Sequence, residues 1–204
     1  MRIMNNLWQA FFISLIITTL LGPLLIPQLK RLKFGQNVRS DGPSRHLQKA
    51  GTPTMGGLMF LAGTAAAVLM LSRGLTDGLI VLIVIVGFGL IGFIDDYLKV
   101  VLKRSLGLRA REKLLWQILL AAGLAYWVVY GMGRGAEIVL PYSGYFTTGG
   151  IQLDLGWWPF MVFTVIVVVG AANAVNLTDG LDGLAAGVSM IAALALMIIS
   201  LLVL

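Results

Sequence analysis

The chain has 204 residues, 58% hydrophobic and only 12% charged, with a formal net charge of +6; soluble domains carry about 25% charged residues, so the composition excludes a water-soluble globule and indicates an integral membrane protein. There is no cysteine and one histidine, His46, which excludes disulfide staples, thiolate metal sites and a multi-histidine centre within the chain. The positive charge does not imply nucleic acid, because topology alone loads the loops of a membrane protein with basic residues.

A membrane-spanning helix needs about 20 apolar residues, with roughly 17 the short limit. Six uncharged stretches qualify: Leu7–Leu29, Thr54–Leu71, Gly78–Ile94, Leu114–Gly133, Trp157–Val175 and Leu184–Leu204. The first is longer than a signal-peptide core and no small-residue cleavage site follows it, so it reads as a spanning helix that Pro23 and Pro27 kink or end near the loop. Residues 1–204 are therefore expected to form one transmembrane domain, an all-α polytopic membrane protein with six transmembrane helices.

Alternating these spans puts loops 30–53, 95–113 and 176–183 on one face, with the N-terminus, 72–77 and 134–156 on the other. Twelve lysines and arginines then share the first face, against Arg2, Arg73 and Arg134 opposite. By the positive-inside rule the twelve are cytoplasmic and the N-terminus is outside. Trp8, Trp116, Trp157 and Trp158 fall near span ends, where indole favours the interface. In the outer segment 134–156, alternation around a Pro-Tyr-Ser-Gly turn predicts a short β-hairpin.

The first cytoplasmic loop opens with Lys30, Arg31 and Lys33, which suit contact with anionic lipid. It closes on Gly51-Thr-Pro-Thr-Met-Gly-Gly beside Lys49. Proline suits a first helical turn, threonine can cap one, and the free N–H groups of a helix start attract phosphate. A phosphate-facing helix mouth and a plain capped turn fit these residues equally.

The third span ends in Gly92-Phe-Ile-Asp95-Asp96-Tyr-Leu-Lys99. Carboxylates at a hydrocarbon boundary are costly unless paired, hydrated or metal-bound, so the doublet is a candidate site; acidic residues also simply mark where a helix leaves the bilayer. If the helix continues past Asp96, Lys99 and Lys103 lie on one face. Asp95 and Asp96 point about 100° apart on any helix, so distinct roles are expected: one approaches a metal or reacting oxygen, the other pairs with lysine or orients its neighbour.

After the fifth span, Asn173, Asn176, Asp179 and Asp182 recur every third residue. Each step turns a helical side chain by about 60°, so on one helix they would not converge. Gly180 and Gly183 offer a break that redirects Asp179 and Asp182. The bland alternative is a wet loop, but this connection has no basic residue, so its carboxylates need a partner from elsewhere. Acidic and basic loops on one face suit a phosphate-rich substrate held with Mg²⁺.

In order and spacing, Asn37-Val-Arg-Ser-Asp-Gly-Pro-Ser-Arg-His, the Thr-Pro-Thr-Met-Gly-Gly segment, the Asp95-Asp96 segment and Asn173-Ala-Val-Asn-Leu-Thr-Asp-Gly-Leu-Asp-Gly-Leu-Ala resemble the phospho-N-acetylmuramoyl-pentapeptide transferase family. This family lies within the polyprenyl-phosphate sugar-1-phosphate transferase superfamily. The resemblance implies a Mg²⁺-dependent enzyme of the bacterial inner membrane that moves phospho-MurNAc-pentapeptide from UDP-MurNAc-pentapeptide to undecaprenyl phosphate, giving lipid I and UMP. It implies catalytic and metal-binding roles for Asp95 and Asp96, and a nucleotide-sugar site lined by Lys49, Thr54, Asn173, Asn176, Asp179 and Asp182. Lys99 and Lys103 would meet pyrophosphate or lipid phosphate. The family pattern continues through further spans bearing another metal-binding aspartate, so the chain reads as an N-terminal portion expected to be inactive alone. A homodimer is compatible with this reading and the sequence does not decide it. The alternatives are another UDP-sugar transferase of the superfamily, or a non-catalytic membrane binding or transport fragment; acids at span ends and the lack of a clear repeat speak against a transporter.

Overall fold

The structure, a computed structural model, describes residues 2–31, 54–72, 76–102, 104, 107–140, 143–145, 149–179 and 183–203. Lys49, Lys103, Asp182 and the 37–46 segment lie outside the described residues. Among the described residues six α-helices dominate: α1 (Arg2–Arg31), α2 (Gly57–Leu71), α3 (Thr76–Val100), α4 (Ala110–Tyr126), α5 (Trp157–Thr178) and α6 (Leu184–Val203). Between α4 and α5 lie strands β1 (Glu137–Val139) and β2 (Gln152–Asp154).

Among the described residues, four helical stretches are long and apolar enough to cross a membrane: Asn6–Arg31, Thr76–Val100, Ala110–Gly131 and Trp157–Thr178. They coincide with the expected first, third, fourth and fifth spans. The regions of the second and sixth are also helical, but their apolar helices, Gly57–Leu71 and Leu184–Ile199, are shorter. Large apolar side chains face outward along these helices, including Trp8, Phe60, Ile83 and Ile166. Lipid solvates such a surface where water would not, and the protein is accordingly a membrane protein.

Residues 1–120 and 121–204 form two compact units. In the first, α1 packs on α2 through small residues. Thr18 Oγ1 donates to the Met59 carbonyl at 3.4 Å, and a Cβ added at Gly63 would fall on Thr18 Oγ1 and 2.8 Å from the Ser14 carbonyl oxygen. The pairing runs antiparallel, Ser14 against Gly63 and Gly22 against Met59, as small interfaces between apolar helices allow. Helix α3 returns antiparallel to α2, with Gly78 near Val68 and Gly89 against Leu61. Of the two outcomes expected at Pro23 and Pro27, a kink or an end, the second is corrected, since α1 continues through both to Arg31. Each proline removes one i→i−4 donor without breaking the rod, a loss that membrane helices tolerate.

In the second unit, α4 passes at Trp127–Gly131 into a π-helical turn. The two strands pair antiparallel, Glu137 opposite Asp154 and Val139 opposite Gln152. Buried Ser143 staples their connection, donating to the Leu140 carbonyl at 2.6 Å and accepting the Ile151 N–H at 2.7 Å. Asp154 Oδ1 then accepts the Gly156 N–H at 2.8 Å, and α5 starts one residue later. Pro159 sits in that first turn, where its missing N–H costs nothing. Tyr126, Tyr130 and Trp157 gather beside the entry, with ring centroids 4.9–6.0 Å apart.

Candidate functional site

Helix α3 runs on past the doublet to Val100, so Asp95, Asp96 and Lys99 share its last two turns. A carboxylate there meets the negative end of the helix dipole and needs local compensation. Asp95 has it twice. Its side chain is only 8% exposed, and Oδ2 accepts from Lys99 Nζ at 2.6 Å, one helical turn on. Oδ1 accepts the backbone N–H of Leu108 at 2.9 Å.

Leu108 reaches Asp95 because the chain after α3 folds back in steps. The Val101 N–H bonds the Tyr97 carbonyl at 2.9 Å, the Arg104 N–H reaches the Leu98 carbonyl at 3.1 Å, and the Gly107 N–H reaches the Arg104 carbonyl at 3.0 Å. Gly107 then takes a positive φ of 60°, which glycine adopts without steric cost, and turns the Leu108 N–H onto the carboxylate. Immediately afterwards Glu112 Oε2 accepts the Arg109 N–H at 3.2 Å. This is half of a capping box, and it starts α4 at Ala110.

Asp96 has a different environment. Its side chain is 39% exposed and its Oδ1 lies 3.9 Å from Lys99 Nζ. The 100° between adjacent helical positions thus separates a buried, doubly bonded carboxylate from a half-exposed one served by the same lysine. Asp95 thus holds the lysine-paired position that the sequence anticipated for one of the two.

Asn173 and Asn176 lie in the last two turns of α5. Asn173 Nδ2 donates to the Val169 carbonyl at 2.8 Å, and Thr178 Oγ1 donates to the Val175 carbonyl at 2.7 Å. The helix ends at Thr178, exposed Asp179 follows as its C-cap, and helix resumes at Leu184 after Gly183 at φ 79°. The expected break after the asparagines is therefore present, and Asp179 leaves the helical sweep of Asn173 and Asn176. Thr54, half-buried, precedes α2, but the helix begins only at Gly57 and its N-cap, Gly56, makes no side-chain capping bond. The turn that leads into α2 carries backbone bonds, the Leu58 N–H to the Met55 carbonyl and the Met59 N–H to the Gly56 carbonyl.

The residues brought together by contact are thus Asp95, Asp96 and Lys99. Sequence reasoning passed over Gly107 and Leu108. The signal was a lone glycine between leucines after a basic run, and the carboxylate that the Leu108 N–H meets, thirteen residues upstream of Leu108, is visible only in three dimensions. Among the described residues, no three acidic or histidine side chains gather as a metal cage. Mg²⁺ needs only one or two carboxylates beside water and phosphate oxygens, and half-exposed Asp96 is the hard oxygen donor that fits it.

An apolar helical membrane protein with a held carboxylate doublet at a helix end matches the model described as glycosyl transferase family 4 over residues 78–203, and the chain belongs to that family. Residues 49–61 also match a phospho-N-acetylmuramoyl-pentapeptide-transferase signature. Curated relatives of that name include one from Pelotomaculum thermopropionicum, 70% identical over 193 residues, covering 95% of this chain and 59% of the relative. Another, from Desulforudis audaxviator, is 57% identical over 196 residues, covering 93% of this chain and 59% of the relative. A third, from Desulforamulus reducens, is 52% identical over 198 residues, covering 95% and 58%. The chain thus spans about three-fifths of the length of these relatives.

Proposed function

We propose that this chain carries part of the active site of a phospho-N-acetylmuramoyl-pentapeptide transferase in the bacterial plasma membrane. The observation that carries the reading is the Asp95–Lys99–Asp96 arrangement at the end of a membrane-length helix, within a chain 70% identical to a relative of that name. The signature over 49–61 favours the muramoyl sugar over other UDP-sugars.

In the reaction, an oxygen of undecaprenyl phosphate attacks the sugar-bearing phosphorus of UDP-MurNAc-pentapeptide. A new P–O bond forms, the P–O bond to UMP breaks, and lipid I and UMP leave. Such transfer is governed by positioning and charge neutralisation. Lys99, with one of its three N–H donors on Asp95, keeps others for a phosphate oxygen. Asp96 faces the reacting groups, and Asp95 fixes the lysine. Mg²⁺, when bound at Asp96, supplies neutralisation of the phosphate charge. Lys49, Thr54, Asn173, Asn176, Asp179 and Asp182 line the nucleotide-sugar site, and Lys103 joins Lys99 towards the phosphates. We assign all of these residues to the cytoplasmic side, six spans to the membrane, the N-terminus and the small sheet to the outside, and residues 1–204 to a single membrane domain.

The test is transfer of radiolabelled phospho-sugar from UDP-MurNAc-pentapeptide to undecaprenyl phosphate, in membranes free of any other transferase. It is run with the chain alone and with the chain co-expressed with the remaining two-fifths of the Pelotomaculum relative. Lipid product that needs Mg²⁺, disappears with EDTA and falls by at least about a hundredfold in Asp96→Asn is expected from the supplemented chain. Transfer indifferent to both EDTA and the substitution, or consumption of a different UDP-sugar only, sinks the reading.

A further inference from the structure

We infer that Gly107 and the Leu108 N–H form a backbone clamp that sets the Asp95 carboxylate, and through it the Lys99 amine, making Gly107 a positioning residue of the transfer reaction. The inference rests on the transferase reading for its chemistry and on independent geometry for its existence.

Among the described residues, buried Asp95 is compensated by two partners, and they differ in kind. Lys99, with a side chain 41% exposed, is held on a flexible stem. The Leu108 N–H, at 2.9 Å, is held by backbone alone, and a rigid donor fixes the direction of a carboxylate better than a mobile cation does. The approach requires glycine twice over. Gly107 has φ 60°, and a Cβ there would fall on Asp95 Oδ1, 2.8 Å from Lys99 Cε and 3.0 Å from the Asp95 carbonyl oxygen. The loop is therefore packed against both members of the ion pair, and adding one methyl group must move the carboxylate, the lysine stem or the loop. Each shift re-aims Lys99, whose Nζ also lies 3.9 Å from Asp96. A displacement of order 1 Å at a phosphoryl-transfer site costs up to about a hundredfold in rate.

Two arms test this in the whole transferase. The first is hydrogen exchange at the Leu108 amide, which needs no activity. Asp95→Ala and Gly107→Ala are expected to speed exchange by about tenfold, the factor of one hydrogen bond. The control Gly133→Ala leaves it unchanged, because Gly133 has a similar φ of 64° with nothing within 4 Å of its would-be Cβ. The second arm is turnover of folded protein, quantified by gel filtration. Gly107→Ala and Gly107→Asn are expected to lower kcat by about ten- to a hundredfold, with KM for the UDP-sugar changed less than about twofold. Asparagine tolerates positive φ, so its loss of rate isolates the packing from backbone strain, and Gly133→Ala turns over normally. Unchanged Leu108 exchange in both Asp95→Ala and Gly107→Ala overturns the clamp. Faster exchange with normal kcat in Gly107→Asn overturns its role in positioning. A wild-type protein that transfers no phospho-sugar overturns the functional reading and the positioning role with it, while the exchange arm still decides the clamp.

Discussion

Two neighbouring aspartates of identical chemistry receive opposite environments from one helix. Asp95 lies against the loop and is bonded on both oxygens, while Asp96 remains half-exposed beside the same lysine. Removing the lysine should therefore cost both stability and activity. Lys99→Met takes the cation from a carboxylate only 8% exposed and leaves it with the Leu108 N–H, a cost of about 1–3 kcal/mol, so thermal unfolding in detergent should come down by several degrees. The transfer rate should fall by about tenfold or more, since a cation facing phosphate is lost; a fall in stability without loss of rate would place Lys99 in a purely structural role. That the two carboxylates would have different surroundings was legible from their adjacency on a helix. Which aspartate would be buried was not, because it depends on a glycine turn twelve residues after Asp95.

Among the elements, α1 and α2 meet through side chains small enough for close backbone approach. Gly63 is the contact point, with Ser14 and Thr18 directly beneath its Cα. Gly63→Val should destabilise by about 1–3 kcal/mol through overpacking, read as a lower denaturation midpoint in detergent. Gly123, in α4 and with nothing within 4 Å of its would-be Cβ, offers the opposite outcome. Gly123→Ala should be neutral or stabilising by up to about 1 kcal/mol. Equal effects of the two substitutions would refute the packing argument. The helices themselves were legible from uncharged runs of membrane length. Their ends were less so: α2 starts at Gly57 without a side-chain cap, and α1 continues through two prolines.

For the whole molecule, the charge asymmetry predicts which face is cytoplasmic, and the absence of native cysteine makes the test clean. Arg104 and Arg134 are both exposed and were assigned to opposite sides. Arg104→Cys should react with an impermeant maleimide only after the membrane is opened to its cytoplasmic face, whereas Arg134→Cys should react in intact cells. Labelling of both from one side would overturn the alternating arrangement of spans.

Composition alone determined that this chain belongs in lipid, because an uncharged run of membrane length has no other favourable solvent. Residue order determined which carboxylates stand at helix ends, since a carboxylate deeper in a span is costly to desolvate. The tertiary structure decided which of those groups touch. Asp95 was joined to Leu108 because a glycine at positive φ let the backbone return to the helix it had just left, a contact between distant positions that neither helical periodicity nor charge pattern encodes.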